Sequence, residues 1–335
     1  MKNKINAGII GLGVGEAHIK GYELHPNVTV TALCDFNEEK IYYAKNKYPF
    51  LKTYTKAEDL INDSDVDVVT IASFDNDHFI QISECIRQKK HIFVEKPLCL
   101  FEDEAKEIRR LLEENKDIKL SSNLILRKSP RFIDLKKRIQ TGEFGNLYYL
   151  DGDYNYGRIH KLTEGWRGKI PFYSVILGGG VHIIDLLLWL TEERVTEVSA
   201  MGNNICTNGS QFKYNDFAVG IMKFQNGMNA KVSANFGCIH PHFHSLSVYG
   251  EKATFINTKK EALLYKSRDP ELEAELLSTQ YPGAAKGELI YSFIDDILGI
   301  RQAEVTKEDV FETISVCFAI DKSIETNRLV KVNYI

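Results

Sequence analysis

The sequence predicts an α/β protein with a doubly wound parallel sheet at its N-terminal end, followed by an α+β domain on an open, mainly antiparallel sheet. Three observations support this. A short apolar strand at Ile5, Ala7, Ile9 and Ile10 runs into Gly11, Gly13 and Gly15, and then into an amphipathic run from Glu16 to Leu24. That is the strand, glycine turn and helix that open a Rossmann-type βαβ unit. Apolar strands then alternate with helical patterns up to residue 122, as they do in a parallel sheet covered on both faces. After Asn123 the pattern changes to longer alternating strands joined by hairpin signals, the mark of antiparallel pairing. The expected division is residues 1–122 and 123–335.

A chain of 335 residues is long enough for two cores. Its formal charge is -4, with 26% charged residues and no basic stripe, which argues against nucleic acid as a partner. The apolar run Ile183–Leu190 is broken by Asp185, so no membrane span is expected. The chain enters a strand almost at once, which leaves no room for a signal peptide on this reading. Cysteines 34, 85, 99, 206, 238 and 317 show no close pair and no metal spacing. They read as scattered thiols of a cytoplasmic protein.

In order, Gly11 permits the tight turn, Gly13 lets a ligand approach the backbone, and the helix start offers amides to a pyrophosphate. Val14 lies inside this turn, Gly15 comes one place before the usual third glycine, and Glu16 takes that glycine's position. The second strand, Val28–Cys34, ends in Asp35, 24 residues after Gly11. A carboxylate there can accept hydrogen bonds from the adenosine ribose; the alternative is a cap for the helix from Asn37 to Lys45. Residues 36–39 supply no arginine to meet a 2′-phosphate, so the expected cofactor is NAD rather than NADP.

Val66–Ala72 is a buried strand that leads into Ser73, Phe74, Asp75, Asn76, Asp77 and His78. His91–Val94 is another, ending in Glu95-Lys96-Pro97, and Ile118–Ser121 precedes Asn123. All these strand ends fall on the carboxyl edge of the sheet, where ligands bind in such folds. Pro97 holds Lys96 in extended backbone. That aims its amine, which could polarise a substrate hydroxyl or carbonyl; otherwise it is an ordinary surface lysine. Glu95 has a secondary part, pairing with Lys96 or a backbone donor.

In the second half, Leu147–Tyr156, Val195–Gly202, Phe217–Phe224, Asn229–Phe236, Ser245–Tyr249 and Ala253–Asn257 read as strands. Asn226-Gly227 is a hairpin signal. Gly178-Gly179-Gly180 leads into the helical run His182–Leu190. The glycines permit close approach of a chain segment or ligand, which makes His182 a candidate general base; the alternative is a satisfied core histidine. Asp185, three residues on, shares its face and would orient it or touch substrate.

Tyr156, Arg158, His160, Trp166 and Arg167 form a basic aromatic segment suited to a sugar, with its cations available to the phosphates of a nucleotide sugar; the alternative is a subunit contact. His242, in the run His240-Pro241-His242-Phe243-His244, reads as a substrate contact, or as loop packing, rather than a metal ligand, since no nearby cysteine or paired carboxylate completes a set. Leu289–Leu298 and Lys307–Thr326 are the closing helices, and Thr306 with Asp309 makes a capping-box variant.

Taken together, these residues resemble the Gfo/Idh/MocA oxidoreductases, the relatives of glucose-fructose oxidoreductase and inositol dehydrogenase. The resemblance covers essentially the whole chain. It rests on Gly11-Leu-Gly13-Val-Gly15-Glu-Ala-His18, Asp35, Ser73-Phe74-Asp75 with His78, Glu95-Lys96-Pro97, Asn123, Arg127, Gly142, Gly145, the Gly180/His182/Asp185 trio and Val305-Thr-Lys-Glu-Asp.

The resemblance implies a cofactor site of Gly11, Gly13, Val14, Gly15, Asp35, Ser73, Phe74, His78, Glu95, Lys96 and Asn123. It implies NAD-linked interconversion of a sugar, nucleotide-sugar or cyclitol hydroxyl and its ketone. Lys96 would stabilise the alkoxide and His182 would move the proton. The basic aromatic segment leans the substrate toward an amino sugar or nucleotide sugar. Gly178 stands where the family often has an aspartate. A homodimer or homotetramer built on the C-terminal sheet is expected. The competing reading is a non-catalytic regulator that binds NAD and a sugar.

Overall fold

Strand periodicity and helix caps place most elements where the pattern puts them. The computed structural model describes residues 4–335. The first half runs β1 (Ile5–Ile10), α1 (His18–Glu23), β2 (Val28–Cys34), α2 (Glu38–Lys47), β3 (Lys52–Tyr54), α3 (Ala57–Ile61), β4 (Val68–Ile71), α4 (His78–Arg87), β5 (His91–Val94), α5 (Glu102–Glu114) and β6 (Leu120–Ser122). The second continues with α6 (Pro130–Gln140), β7 (Leu147–Asn155), α7 (His160–Thr163), α8 (Val181–Thr191), β8 (Val195–Asn203), β9 (Phe217–Phe224), β10 (Asn229–Asn235), β11 (Phe243–Gly250), β12 (Thr254–Ile256), β13 (Ala262–Tyr265) and β14 (Glu275–Leu277). It closes with α9 (Glu288–Ile297), α10 (Lys307–Thr326) and β15 (Val330–Lys331).

The chain forms two compact units. One holds the residues up to Ile125 with Ala285–Phe311 and Ile335, and the other holds Leu126–Ala284 with Glu312–Tyr334.

In the first unit β1–β6 form one parallel sheet in the order β3-β2-β1-β4-β5-β6. The order reverses between β1 and β4, so the loops after these strands flank the crevice of a doubly wound sheet. The central strands are apolar on both faces, and Ala7, Ile9, Val68, Ile71, Ile92 and Phe93 are fully buried. α5 buries Ala105, Ile108, Leu111 and Leu112, a helical stripe that faces the core. Near α9, the buried His25 and Asp295 meet, with Nε2 and Oδ1 3.2 Å apart. The Thr306–Asp309 cap forms in both directions, Thr306 N donating to Asp309 Oδ2 at 2.8 Å and Asp309 N to Thr306 Oγ1 at 3.1 Å.

In the second unit nine strands form a sheet in the order β14-β13-β12-β11-β7-β10-β9-β8-β15. All neighbours are antiparallel except β7 and β10, which run parallel. The hairpin at Asn226-Gly227 joins β9 to β10, with Gly227 at φ +91°. β13, β14 and β15 extend the sheet beyond the expected strands. β7 alternates, burying Leu150, Gly152 and Tyr154, and Ile183 of α8 fills the space above Gly152. A wide π-helical turn, Ile176–Gly180, precedes α8.

Within the first unit, a Cβ on Gly21 of α1 would strike the Gly287 carbonyl. Gly21→Ala should therefore destabilise by about 1–3 kcal/mol, as overpacking does; urea unfolding with an unchanged denaturant slope would register it.

Candidate active site

The glycine turn has three distinct surroundings. Gly11 adopts φ +89°, and a Cβ there would strike the Ala72 carbonyl, so only glycine fits the turn. Gly13 faces open space, and the nearest atom to a Cβ there would be Lys40 Nζ at 3.9 Å. Gly15 is buried, where a Cβ would lie 3.0 Å from Ile9 and 3.1 Å from Ala72 side chains. It thus fills the packing role of a third glycine one residue early, while Val14 is exposed. A cradle open at its second glycine fits a dinucleotide.

Asp35 is buried at the end of β2. Its Oδ2 accepts from Leu12 N at 2.8 Å and from Lys40 Nζ at 2.9 Å, and its Oδ1 accepts from Asn37 N at 3.0 Å. The cap of α2 is Asn37, whose side chain accepts from Glu39 N and Lys40 N. Asp35 therefore ties the turn after β1 to the turn after β2. Phe36 is exposed beside it, its ring 5.6 Å from that of Phe74 in an edge-to-face pair. Ser73 Oγ donates to Gln81 Oε1 at 2.8 Å.

Around Lys96 the polar groups form a network. Glu95 Oε1 lies 3.0 Å from His18 Nε2 and accepts from Asn123 Nδ2 at 2.8 Å. Burial alone would raise the Glu95 carboxyl; His18, Lys96 and Asn123 outweigh it and hold the group down at about 2. A fixed negative charge thus sits beside the lysine amine. His78 is fully buried, and its Nδ1 lies 2.7 Å from the Pro97 carbonyl. A carbonyl only accepts, so Nδ1 carries the proton. His78 thereby anchors the loop that presents Lys96. Asn123 Oδ1, buried and without a hydrogen-bond partner among the described residues, is an acceptor left for a ligand.

In the second unit the glycine run is packed by rings. Tyr173 fills the place a side chain at 178 would take, and its hydroxyl accepts from Arg167 Nε at 3.0 Å. The Tyr154 ring covers Gly179. His182, half-buried in the first turn of α8, stacks on Tyr154 with centroids 6.0 Å apart. His244 lies directly across from Tyr154 on β11. Its ring is 6.2 Å from His182 and 4.8 Å from His242. His242 is exposed and faces Tyr154 at 5.1 Å and Tyr156 at 5.4 Å. The structure thus gathers His182, His242, Tyr154, Tyr156 and His244 into one aromatic wall. Among the described residues, no group of three potential ligands is placed to hold a metal ion.

Asp185 is fully buried and clamped by Arg127, with Nη2 donating at 2.6 Å and Nε at 3.1 Å, and Thr313 Oγ1 adds a bond at 3.4 Å. A carboxylate held by a fork of donors secures α8 to the segment before α6. In the basic aromatic segment, the Arg158 guanidinium stands over the Tyr156 ring at 5.2 Å, and Arg167 over Trp166 at 4.7 Å. His160 is exposed in the short α7.

Lys40, His18, Tyr154 and Tyr173 carry no individual role in the sequence pattern. The signal for His18 was present, three residues after Gly15. The partners of Lys40 and Tyr173 become visible only with the fold.

The parallel sheet, its glycine turn and the acid after β2 define a dinucleotide-binding fold. Residues 5–123 match a family model described as an oxidoreductase family with an NAD-binding Rossmann fold, and residues 132–256 match the GFO/IDH/MocA C-terminal domain. The chain belongs to the Gfo/Idh/MocA family.

It is similar to the myo-inositol 2-dehydrogenase of Thermotoga maritima, with 25% identity over 97% of this chain and 98% of the relative. It is also 25% identical to the inositol 2-dehydrogenase of Salmonella typhimurium, over 74% of this chain and 72% of that one. Among solved structures, myo-inositol 2-dehydrogenase from Lactobacillus plantarum shares the fold at TM-score 0.84 and 21% identity, covering 98% of this chain and all (100%) of that one. Levoglucosan dehydrogenase in complex with NADH and levoglucosan shares it at TM-score 0.86 and 20% identity, covering 99% and 100%.

Two outcomes follow from these pairings. Arg127→Met leaves the Asp185 charge buried without its main partner and should cost about 3–5 kcal/mol, read from chemical unfolding. Burial and the neighbouring His242 press the His244 imidazole down from 6.5 to about 3. The unfolded chain therefore takes up a proton that the folded chain refuses. Stability should fall as pH drops from about 6.5 toward 3, and His244→Gln should flatten that part of a urea-midpoint-versus-pH curve.

Proposed function

We propose that this chain catalyses NAD-dependent interconversion of a secondary hydroxyl on a cyclitol, sugar or nucleotide sugar and the corresponding ketone. The observation that carries the reading is Lys96, presented between a half-buried, ionised Glu95 and a Pro97 anchored by His78, at the carboxyl end of β5. The glycine turn, Asp35 and Asn123 would hold the dinucleotide. Bound NAD would supply the hydride acceptor.

The chain's own residues would do the rest. Lys96 would donate to the substrate oxygen and stabilise it as the C–H bond breaks, since a cation aimed where negative charge develops lowers that barrier. His182 would take the hydroxyl proton in the oxidative direction and return it in the reductive one. Asp185 would act through structure, fixing α8 by its Arg127 clamp. The aromatic wall around His182 and His242 suits the ring and hydroxyls of a polyol. The curated relatives named inositol dehydrogenases support the cyclitol end of the range.

A second copy would cover the outer face of the nine-stranded sheet, where Tyr148, Met201 and Ile221 are exposed, giving a homodimer or homotetramer. No helix among the described residues is long and apolar enough to cross a membrane.

Lys96→Met should bind NADH with affinity near that of the unaltered chain and lose at least about a hundredfold in turnover. Fluorescence titration of NADH and steady-state rates would measure the two effects separately. Near-normal turnover would remove Lys96 from the chemistry.

A further inference from the structure

Sequence reasoning set Asp35 against a 2′-phosphate because no arginine follows it. The structure supplies a cation from the first turn of α2. Lys40 Nζ lies 2.9 Å from Asp35 Oδ2; the lysine side chain is 43% exposed and the carboxylate side chain only 2%. The same oxygen accepts from Leu12 N, and Asn37 N occupies Oδ1. Three donors therefore already meet the carboxylate, which offers about four acceptor directions in all. Its charge is balanced by the ammonium, and one acceptor direction is left for a ribose hydroxyl.

The ammonium also overlooks the open side of the glycine turn: among the described residues beyond its chain neighbours, the nearest atom to a Cβ built on Gly13 is Lys40 Nζ at 3.9 Å. The exposed Phe36 and the half-buried Phe74 paired with it border the same loops. Other acids lie nearby. Glu38 and Glu39 occupy the same first turn, where water screens them. Glu16 is paired with Lys47 at 2.8 Å.

We propose that Lys40 makes this a site for 2′-phosphorylated as well as 2′-hydroxyl adenine dinucleotides. Its ammonium bridges Asp35 Oδ2 and a 2′-phosphate in the first case, and only Asp35 in the second. A lysine suits this role because its three donors turn on a flexible stem. The assignment rests on residues 11–15 and 35 forming the dinucleotide site.

The test uses the adenosine ends of the two cofactors, 5′-AMP and 2′,5′-ADP, titrated calorimetrically into the full chain at low salt. Both should bind, within about tenfold of each other. Lys40→Met should weaken 2′,5′-ADP by about tenfold or more, the size of one charge-assisted hydrogen bond, and leave 5′-AMP nearly unchanged. Lys40→Arg should retain both. If 5′-AMP binds and 2′,5′-ADP does not, or if Lys40→Met weakens both equally, the assignment of Lys40 is overturned. If neither ligand binds, the dinucleotide site itself fails.

Discussion

A negative charge half-buried at the carboxyl edge of the first sheet constrains the groups around it. Glu95 follows β5, His18 opens α1 after the glycine turn, and Asn123 follows β6. An isolated buried carboxylate would be strongly disfavoured and would take up a proton. Here the imidazole, the amide and the adjacent lysine keep it ionised. One side chain thereby ties together the ends of three elements, and it does so at the residue before Lys96. The His78 bond to Pro97 secures the other side of the same loop. The residues on either side of Lys96 are thus both held by polar contacts.

The second unit uses the same logic. Arg127 and Asp185 form a buried pair whose members need each other more than either stabilises the fold alone. Tyr173 and Tyr154 take the room that Gly178 and Gly179 leave. The helix carrying His182 is thus anchored by a charge pair and packed by two rings. In the wall beside it, Tyr281 closes the network on His244. Its oxygen accepts the His244 backbone N–H at 3.0 Å and lies 2.6 Å from Nδ1. With the imidazole kept neutral by burial, the phenol proton goes to Nδ1, and Nε2 carries the ring's own hydrogen.

Much of this was legible in the sequence because it is local. The parallel sheet followed from apolar runs separated by helical stripes, the β9–β10 hairpin from Asn226-Gly227, and the α10 start from Thr306 and Asp309. The glycine run ahead of His182 signalled close approach, and the close approach is by tyrosine rings. What the pattern could not supply is long-range pairing. Nothing near Asp185 announces Arg127, 58 residues earlier. Nothing after Asp35 marks Lys40 as its partner, because a lysine on a charged helix looks like any other. The parallel pairing of β7 with β10 and the return of residues 285–311 to the first unit are matters of topology with no local signal.

Hydride chemistry at a nicotinamide, carried out on a polyol, is tested most directly by incubating the purified chain with NAD and a panel of inositols, free sugars and nucleotide sugars while following the absorbance of reduced nicotinamide. Reduction of NAD by at least one polyol, saturating with its concentration, is the expected result. Tight binding of NAD with no reduction by any member of the panel would contradict it and leave a cofactor-binding regulator in its place.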